Sequence, residues 1–355
     1  MHNRAPPAGR PRPGDPSMLR PDETSAAPSA PAPVVPGLPF TARTLLAPME
    51  GVTAPAFRDL VLARHAPEDL GGAFTEFVRV VDRPVAHKEI KKHLGEARFP
   101  IPVGVQLMGR DEPGVEGSAR HVADLGVPVC DLNFGCPARG ALKGCAGAAA
   151  LEDPAGLERV VAAAVRGVEG RIPVTAKIRA GFEHARDVEV LARAAESGGA
   201  ALLTIHCRTR REGYQPEVDW TRSARAVGAV SIPVAGNGSA WVHADIARMR
   251  EETGCAFVMT GRSALADPWV FSGRSVPRDE AARVLAEYGD TLLALGAPAK
   301  AAVGRIKQLL GYWTAGGLVT SEEERTAWLR RTDFAAFLDD VRTLAGAGAG
   351  HGVPR

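Results

Sequence analysis

No stretch of the 355 residues approaches the ~18–20 consecutive apolar residues that a membrane-spanning helix needs. Residues 1–36 lack the apolar h-region of a secretory signal. Both absences lead to the expectation of a cytoplasmic protein. Cysteine is scarce: Cys130, Cys136, Cys145, Cys207 and Cys255 are the five, an odd number, and none forms a C-x-x-C pair. A disulfide framework is therefore excluded, and reduced thiols are expected, with one of them a candidate for catalysis. No His/Cys/Asp spacing resembles a metal site. Net charge is nearly absent too, at +2, so a polyanionic partner would need a local basic face.

Apolar residues, by contrast, make up 45% of the chain, enough for a substantial core. Residues 1–38 are rich in Pro, Ala, Gly and Arg without apolar periodicity, and are expected to be a disordered extension. Met18 could serve as an alternative start. The final residues, 346–355, read as a loose tail. Between these ends, short apolar runs alternate with helical spacing. The strand candidates are 44–49, 72–77, 103–108, 129–134, 173–178, 202–207, 233–238 and 257–262. Eight β-then-α units predict an α/β fold, a (β/α)8 TIM barrel over residues 39–275. A doubly wound open sheet is the competitor, but no G-x-G-x-x-G opens any of these helices. From 276 to 345 apolar residues recur at three- and four-residue spacing, which predicts a small helical domain.

Chemistry concentrates where these strands end. Glu76, Gln106, Asn133, Lys177, His206 and Asn237 sit near the C-terminal ends of successive runs, with Gly261 and Arg262 closing the set. An unpaired polar group inside a barrel costs a few kcal/mol, so this convergence on one rim predicts a site. The last two runs end in GNGS and TGRSA. Glycines there let backbone N–H groups approach an anion, and Arg262 supplies a guanidinium, which predicts a phosphate-bearing cofactor or substrate. Lys177 could form a Schiff base or stand as a cation beside an electron-rich cofactor. His206 is either a satisfied core histidine or a cofactor contact. Cys136 opens an enlarged loop after the fourth run, FGCPARGALKGCAGAAAL. A thiol with its ordinary pKa near 8.5 stays protonated at neutral pH and can donate a proton to a carbanion-like centre. Cys130, Cys207 and Cys255 read as core, and Cys145 stays undecided.

LLAPMEGVT, TEFVRVVD, LNFGCP, IHCRTRREGY, AGNGS and TGRSAL together resemble the tRNA-dihydrouridine synthases. PMEGV, TEFVRVVD and the late RIKQLLGYW are most similar to the bacterial C-type branch. The likeness runs in order from about residue 44 into the helical tail. It implies an FMN-containing barrel reduced by NADPH, followed by a helical tRNA-binding domain, and a monomer would suffice. By this resemblance Pro48, Met49 and Glu50 line the flavin, and Gln106, Lys177 and His206 contact its ring system. Asn237, Gly238, Ser239, Gly261 and Arg262 hold its phosphate. Cys136 protonates uracil C5 opposite the incoming hydride, and Asn133 holds the base. Arg79, Tyr214, Arg305, Lys307 and Tyr312 contact tRNA, and the reduced uridine is in the D-loop, at position 16. Three residues depart from the branch: Ser239 replaces an acidic residue, Cys207 a glycine, and Cys145 a glycine or serine. A small-molecule dihydropyrimidine or enoate reductase on the same barrel is the alternative; it has no need of basic residues on a helical tail.

Overall fold

The computed structural model describes residues 31–138 and 146–346. The N-terminal residues 1–30, Cys145 with most of its loop, and the tail beyond 346 lie outside the described residues.

Among the described residues nine strands form one all-parallel sheet: β1 Thr44–Leu46, β2 Gly72–Phe74, β3 Val78–Arg79, β4 Val103–Met108, β5 Cys130–Phe134, β6 Val174–Arg179, β7 Leu202–His206, β8 Val234–Asn237 and β9 Phe257–Thr260. β1 pairs with β2, β2 with β4, and each later strand with the next; β9 returns to β1 and closes the ring. The predicted eight-stranded barrel is borne out. The run at 72–77 is the one that splits. β2 stops at Phe74, and the two-residue β3 resumes pairing against the upper half of β4, Val78 opposite Leu107.

Because side chains alternate faces along a strand, every second residue enters the barrel. The floor is apolar: Leu45, Phe74, Val129, Leu202, Phe257 and Met259 pack together with Leu38 and Phe40. The Phe40 ring lies 5.9 Å from that of Phe74 and 5.6 Å from that of Phe257. Phe40 and Leu38 precede β1, so they close the barrel from below. Residues 31–38, read from composition as part of an unstructured extension, thus include a buried Leu38 and partly buried Val34 and Val35. Their apolar side chains have the barrel floor to bury against, a contact that composition alone does not register.

Two residues further along β4, β5 and β6 the interior turns polar. Gln106, Asp131 and Thr175 are in register across β4, β5 and β6. Another step brings Asn133 opposite Lys177 and His206 opposite Asn237. The same two-residue period that builds the apolar floor therefore delivers polar groups to the C-terminal mouth.

Helices α1 Pro55–Leu62, α2 His87–Leu94, α3 Glu112–Asp124, α4 Pro154–Val168, α5 Val188–Ser197, α6 Thr221–Ala229 and α7 His243–Thr253 link the strands, and α8 Arg262–Ala266 follows β9. Asp111 and Asp153 begin α3 and α4: each carboxylate accepts a backbone N–H, from Gly114 and Gly156, and a proline stands near the start of each helix. The chain then runs through α9 Arg278–Ala294, α10 Ala299–Leu310, α11 Glu322–Arg330 and α12 Phe334–Gly346. These helices match the expected all-helical tail. The Tyr288 ring meets Phe57 of α1 edge-on at 6.4 Å, and Arg64 pairs with Glu287 at 2.9 Å. The Thr314 N–H donates to the carbonyl of Ala266 at 2.8 Å. These contacts bring the end of α10 beside the barrel mouth. No helix among the described residues is long and apolar enough to cross a membrane.

Candidate functional site

The barrel mouth opens into a cavity of about 520 Å³, within the range of small-molecule sites. Met49, Glu50, Gln106, Cys136, Lys177 and Tyr312 are among its lining residues. It continues into a narrower recess of about 100 Å³ between the ends of β7, β8 and β9, lined by His206, Asn237, Gly238, Ser239, Gly261 and Arg262 among others. Lys177, His206, Tyr214 and Arg262 border both.

A hydrogen-bonded chain crosses the barrel beneath this cavity. Asp131 accepts from Gln106 Nε2 and from Thr175 Oγ1, both at 2.6 Å. Asn133 Nδ2 donates to Gln106 Oε1 at 2.7 Å. Burial pushes the Asp131 carboxyl up to about 6, against the pull of its hydrogen bonds from Thr175 and Gln106. On the other side Lys177 Nζ donates to Asn237 Oδ1 at 3.2 Å, and Asn237 Nδ2 donates to the Met259 carbonyl at 2.7 Å. Desolvation, aided by Arg179, brings the Lys177 ammonium down to about 8, within reach of physiological pH. His206 is held well below its ordinary range by burial and by Lys177, Arg179, Arg208 and Arg262, so it is neutral at pH 7. Its ring can accept or donate a hydrogen bond but adds no charge.

The recess has the chemistry of an anion site. Gly238 takes φ +125°, open to glycine but rarely to other residues, and Ser239 follows in the left-handed region at φ 54°. A Cβ at Gly261 would stand 2.8 Å from Met49 Sδ, so a side chain there would have to displace Met49 from the wall. The Arg262 guanidinium lies against ring faces rather than a carboxylate, 4.8 Å from the Trp241 centroid and 5.3 Å from that of Tyr214. Arg208 is buried; its Nη2 donates to Ser239 Oγ at 2.7 Å, while its Nη1 has no hydrogen-bond partner. A buried guanidinium N–H without an acceptor is costly unless a ligand supplies one. The cations and the bare backbone suit a phosphate.

Cys136 occupies the opposite wall. Asn133 Oδ1 accepts from the N–H groups of Gly135 and Cys136, at 3.0 and 2.9 Å, and so staples the start of the loop. Arg179 Nε donates to the Gly135 carbonyl at 2.7 Å, and the Cys136 carbonyl accepts from Ala148 at 3.0 Å. Burial pushes the thiol above its ordinary range. It is therefore protonated at neutral pH, as an acid must be before it acts.

A model described as dihydrouridine synthase matches residues 45–309, the barrel and the first helices after it. The chain belongs to the dihydrouridine synthase family. Among curated relatives, a tRNA-dihydrouridine(16) synthase of Cupriavidus necator is 40% identical over 234 residues, 64% of this chain and 72% of that protein. One from Pseudomonas putida is 39% identical over 229 residues, 63% and 70% of the two chains. One from Vibrio vulnificus is 34% identical over 283 residues, 76% and 87%.

Against the family resemblance, the structure gathers most of the expected residues around one cavity. Pro48, Met49, Glu50, Gln106, Asn133, Cys136, Lys177, His206, Tyr214, Arg262 and Tyr312 line its main chamber. Asn237, Gly238, Ser239 and Gly261 line the recess. Three basic residues stand outside both. Arg79 is exposed on β3. Arg305 donates to Gln308 Oε1 at 3.3 Å. Lys307 is turned to the end of α11, where its ammonium donates to the carbonyls of Leu329, at 2.9 Å, and Arg331. That is the negative end of a helix dipole, so Lys307 is committed to holding α11 on α10.

The sequence reading passed over Arg179, Arg208, Asp131, Trp241, Phe77 and Gln308. Two of these carried a signal. Arg179 is two residues beyond Lys177, and Arg208 two beyond His206, so strand alternation already aims both at the mouth. Gln308, on α10, carried none, because which face of a tail helix meets a barrel is a matter of tertiary packing.

Proposed function

We propose that this chain reduces uridine to 5,6-dihydrouridine in the D-loop of tRNA, at position 16, with flavin mononucleotide as resident cofactor and NADPH as electron source. The observation that carries this reading is the pairing of two walls in one cavity. A phosphate-sized cationic recess stands on one side and a protonated thiol on the other. Membership of the family and the names of the relatives supply the substrate.

The residues fit the cofactor. Gly238, Ser239, Gly261 and Arg262 would take its phosphate, with Asn237 beside them and Arg208 holding Ser239 from behind. Gln106, Lys177 and His206, above the apolar floor, would hold its ring system, with Pro48, Met49 and Glu50 along one edge. Bound flavin would supply hydride chemistry at this site. Cys136 holds the matching proton and delivers it to uracil C5: the S–H bond breaks, a C–H bond forms, and a thiolate remains. Arg179, whose charge favours the thiolate, attends that step. Asn133 keeps the loop in place and retains one amide hydrogen for the base.

A target uridine must leave the tRNA stack, at a cost of a few kcal/mol that contacts to its neighbours offset. Exposed Tyr214 and Tyr312, with the basic Arg79 and Arg305, would supply these contacts. The division of labour would be a barrel over 39–275 and a tRNA-binding helical domain over 276–345, acting as a cytoplasmic monomer. Gln308 and Tyr312 from the helical tail line the same chamber as Cys136, which favours tRNA over a small pyrimidine or enoate. Mass spectrometry of tRNA from cells with and without the gene tests this. Dihydrouridine at position 16 should disappear when the gene is deleted and return with a plasmid copy. Unchanged tRNA, together with NADPH-dependent reduction of a free pyrimidine or enoate by the purified protein, would instead establish the small-molecule reading.

A further inference from the structure

The cavity contains one contact that the proposed reaction leaves without a role. Glu50, exposed on the loop after β1, accepts a hydrogen bond from the Cys136 thiol, Sγ to Oε2 3.9 Å. The two residues come from different barrel units, 86 positions apart. We propose that Glu50 is a positioning residue that holds the proton on Cys136 until the substrate is seated.

The argument rests on what surrounds the sulfur. Asn133 and Arg179 fix the backbone of Gly135 and Cys136, so the sulfur can leave Glu50 only by rotation about the Cα–Cβ bond. Two charged groups face it. The Glu50 carboxylate opposes loss of the proton, and Arg179, at the end of β6, favours the thiolate. Tyr214 covers the Arg179 guanidinium at 5.2 Å and so holds that charge in place. Lys177 also borders the chamber, but its ammonium is directed to Asn237. A thiol between a carboxylate and a guanidinium is poised. Displacing Glu50 from the sulfur when a base enters the chamber leaves Arg179 as the charge beside it and makes Cys136 a stronger acid at the moment it is needed.

This inference rests on Cys136 being the proton donor, but its test does not depend on turnover. The pH at which Cys136 is half-alkylated by iodoacetamide is read by mass spectrometry of the peptide that carries it. A unit charge about 4 Å away at an exposed position is worth roughly one pH unit or somewhat less. Glu50→Gln should therefore lower the midpoint by about half to one unit, with several-fold faster alkylation at pH 7. In the unmodified protein, raising the salt from low ionic strength to about 1 M should shift the midpoint the same way, because an exposed charge is screened. Glu50→Gln should not respond to salt in this direction. A midpoint unmoved by Glu50→Gln, or raised by it, overturns the proposal. The salt series decides the matter if the variant folds poorly: no fall in the unmodified protein's midpoint counts against it. Were Cys136→Ala to remain fully active, the proton-donor reading would fail while the midpoint shift could still stand.

Discussion

Cys136→Ala is expected to bind flavin mononucleotide as the unmodified protein does and to lose between ~10² and ~10⁴ of its rate of dihydrouridine formation, the usual range for removing a general acid. The two halves of this expectation come from opposite walls of the cavity. Gly238, Ser239, Gly261 and Arg262, proposed to hold the cofactor's phosphate, line a recess in which Cys136 takes no part. The thiol contributes to the main chamber only, and alanine leaves the Asn133 hydrogen bonds to backbone N–H groups intact. Bound-flavin absorbance and dihydrouridine content of added tRNA, measured on one preparation, separate the two. A variant as active as the unmodified protein would remove the thiol from the chemistry. A variant that loses the flavin would mean that the loop carrying Cys136 also shapes the recess.

Arg262→Ala should act the other way round. Its guanidinium is the charged group at the end of β9, with Trp241 and Tyr214 as its ring neighbours. Charged hydrogen bonds contribute about 1.5–3 kcal/mol each, so flavin mononucleotide should bind roughly 10- to 150-fold more weakly. Riboflavin, which lacks the phosphate, should bind the variant and the unmodified protein alike. Equal weakening of both ligands would show that Arg262 supports the ring or the fold instead. Reduced activity at low cofactor concentration should recover as flavin mononucleotide is raised, since Cys136 and its loop are untouched.

Much of this site was legible in the order of residues alone. Strand alternation announces Gln106, Asn133, Lys177, His206 and Asn237, because so many polar groups on the inward face of a parallel barrel are costly unless they meet one another or a ligand. The glycines of GNGS and TGRSA point to an anion before any geometry is known. Arg179 and Arg208 follow the same alternation and were overlooked because they fall at or beyond the last residue of their strands. Other features were not legible. The contact between Glu50 and Cys136 joins two loops that only barrel closure brings together. Lys307 reads as an exposed base on an amphipathic helix; its engagement by the end of α11 depends on how the tail folds back. Leu38 lies in a Pro-rich stretch that looks unstructured until the barrel floor offers it an apolar surface.

The most direct test of the account is a titration of the purified, cofactor-free protein with flavin mononucleotide, followed by visible absorbance. The account predicts a saturable perturbation of the flavin bands at one equivalent, which inorganic phosphate competes away and which Arg262→Ala weakens. A protein that leaves the flavin spectrum unchanged at every ratio would contradict it.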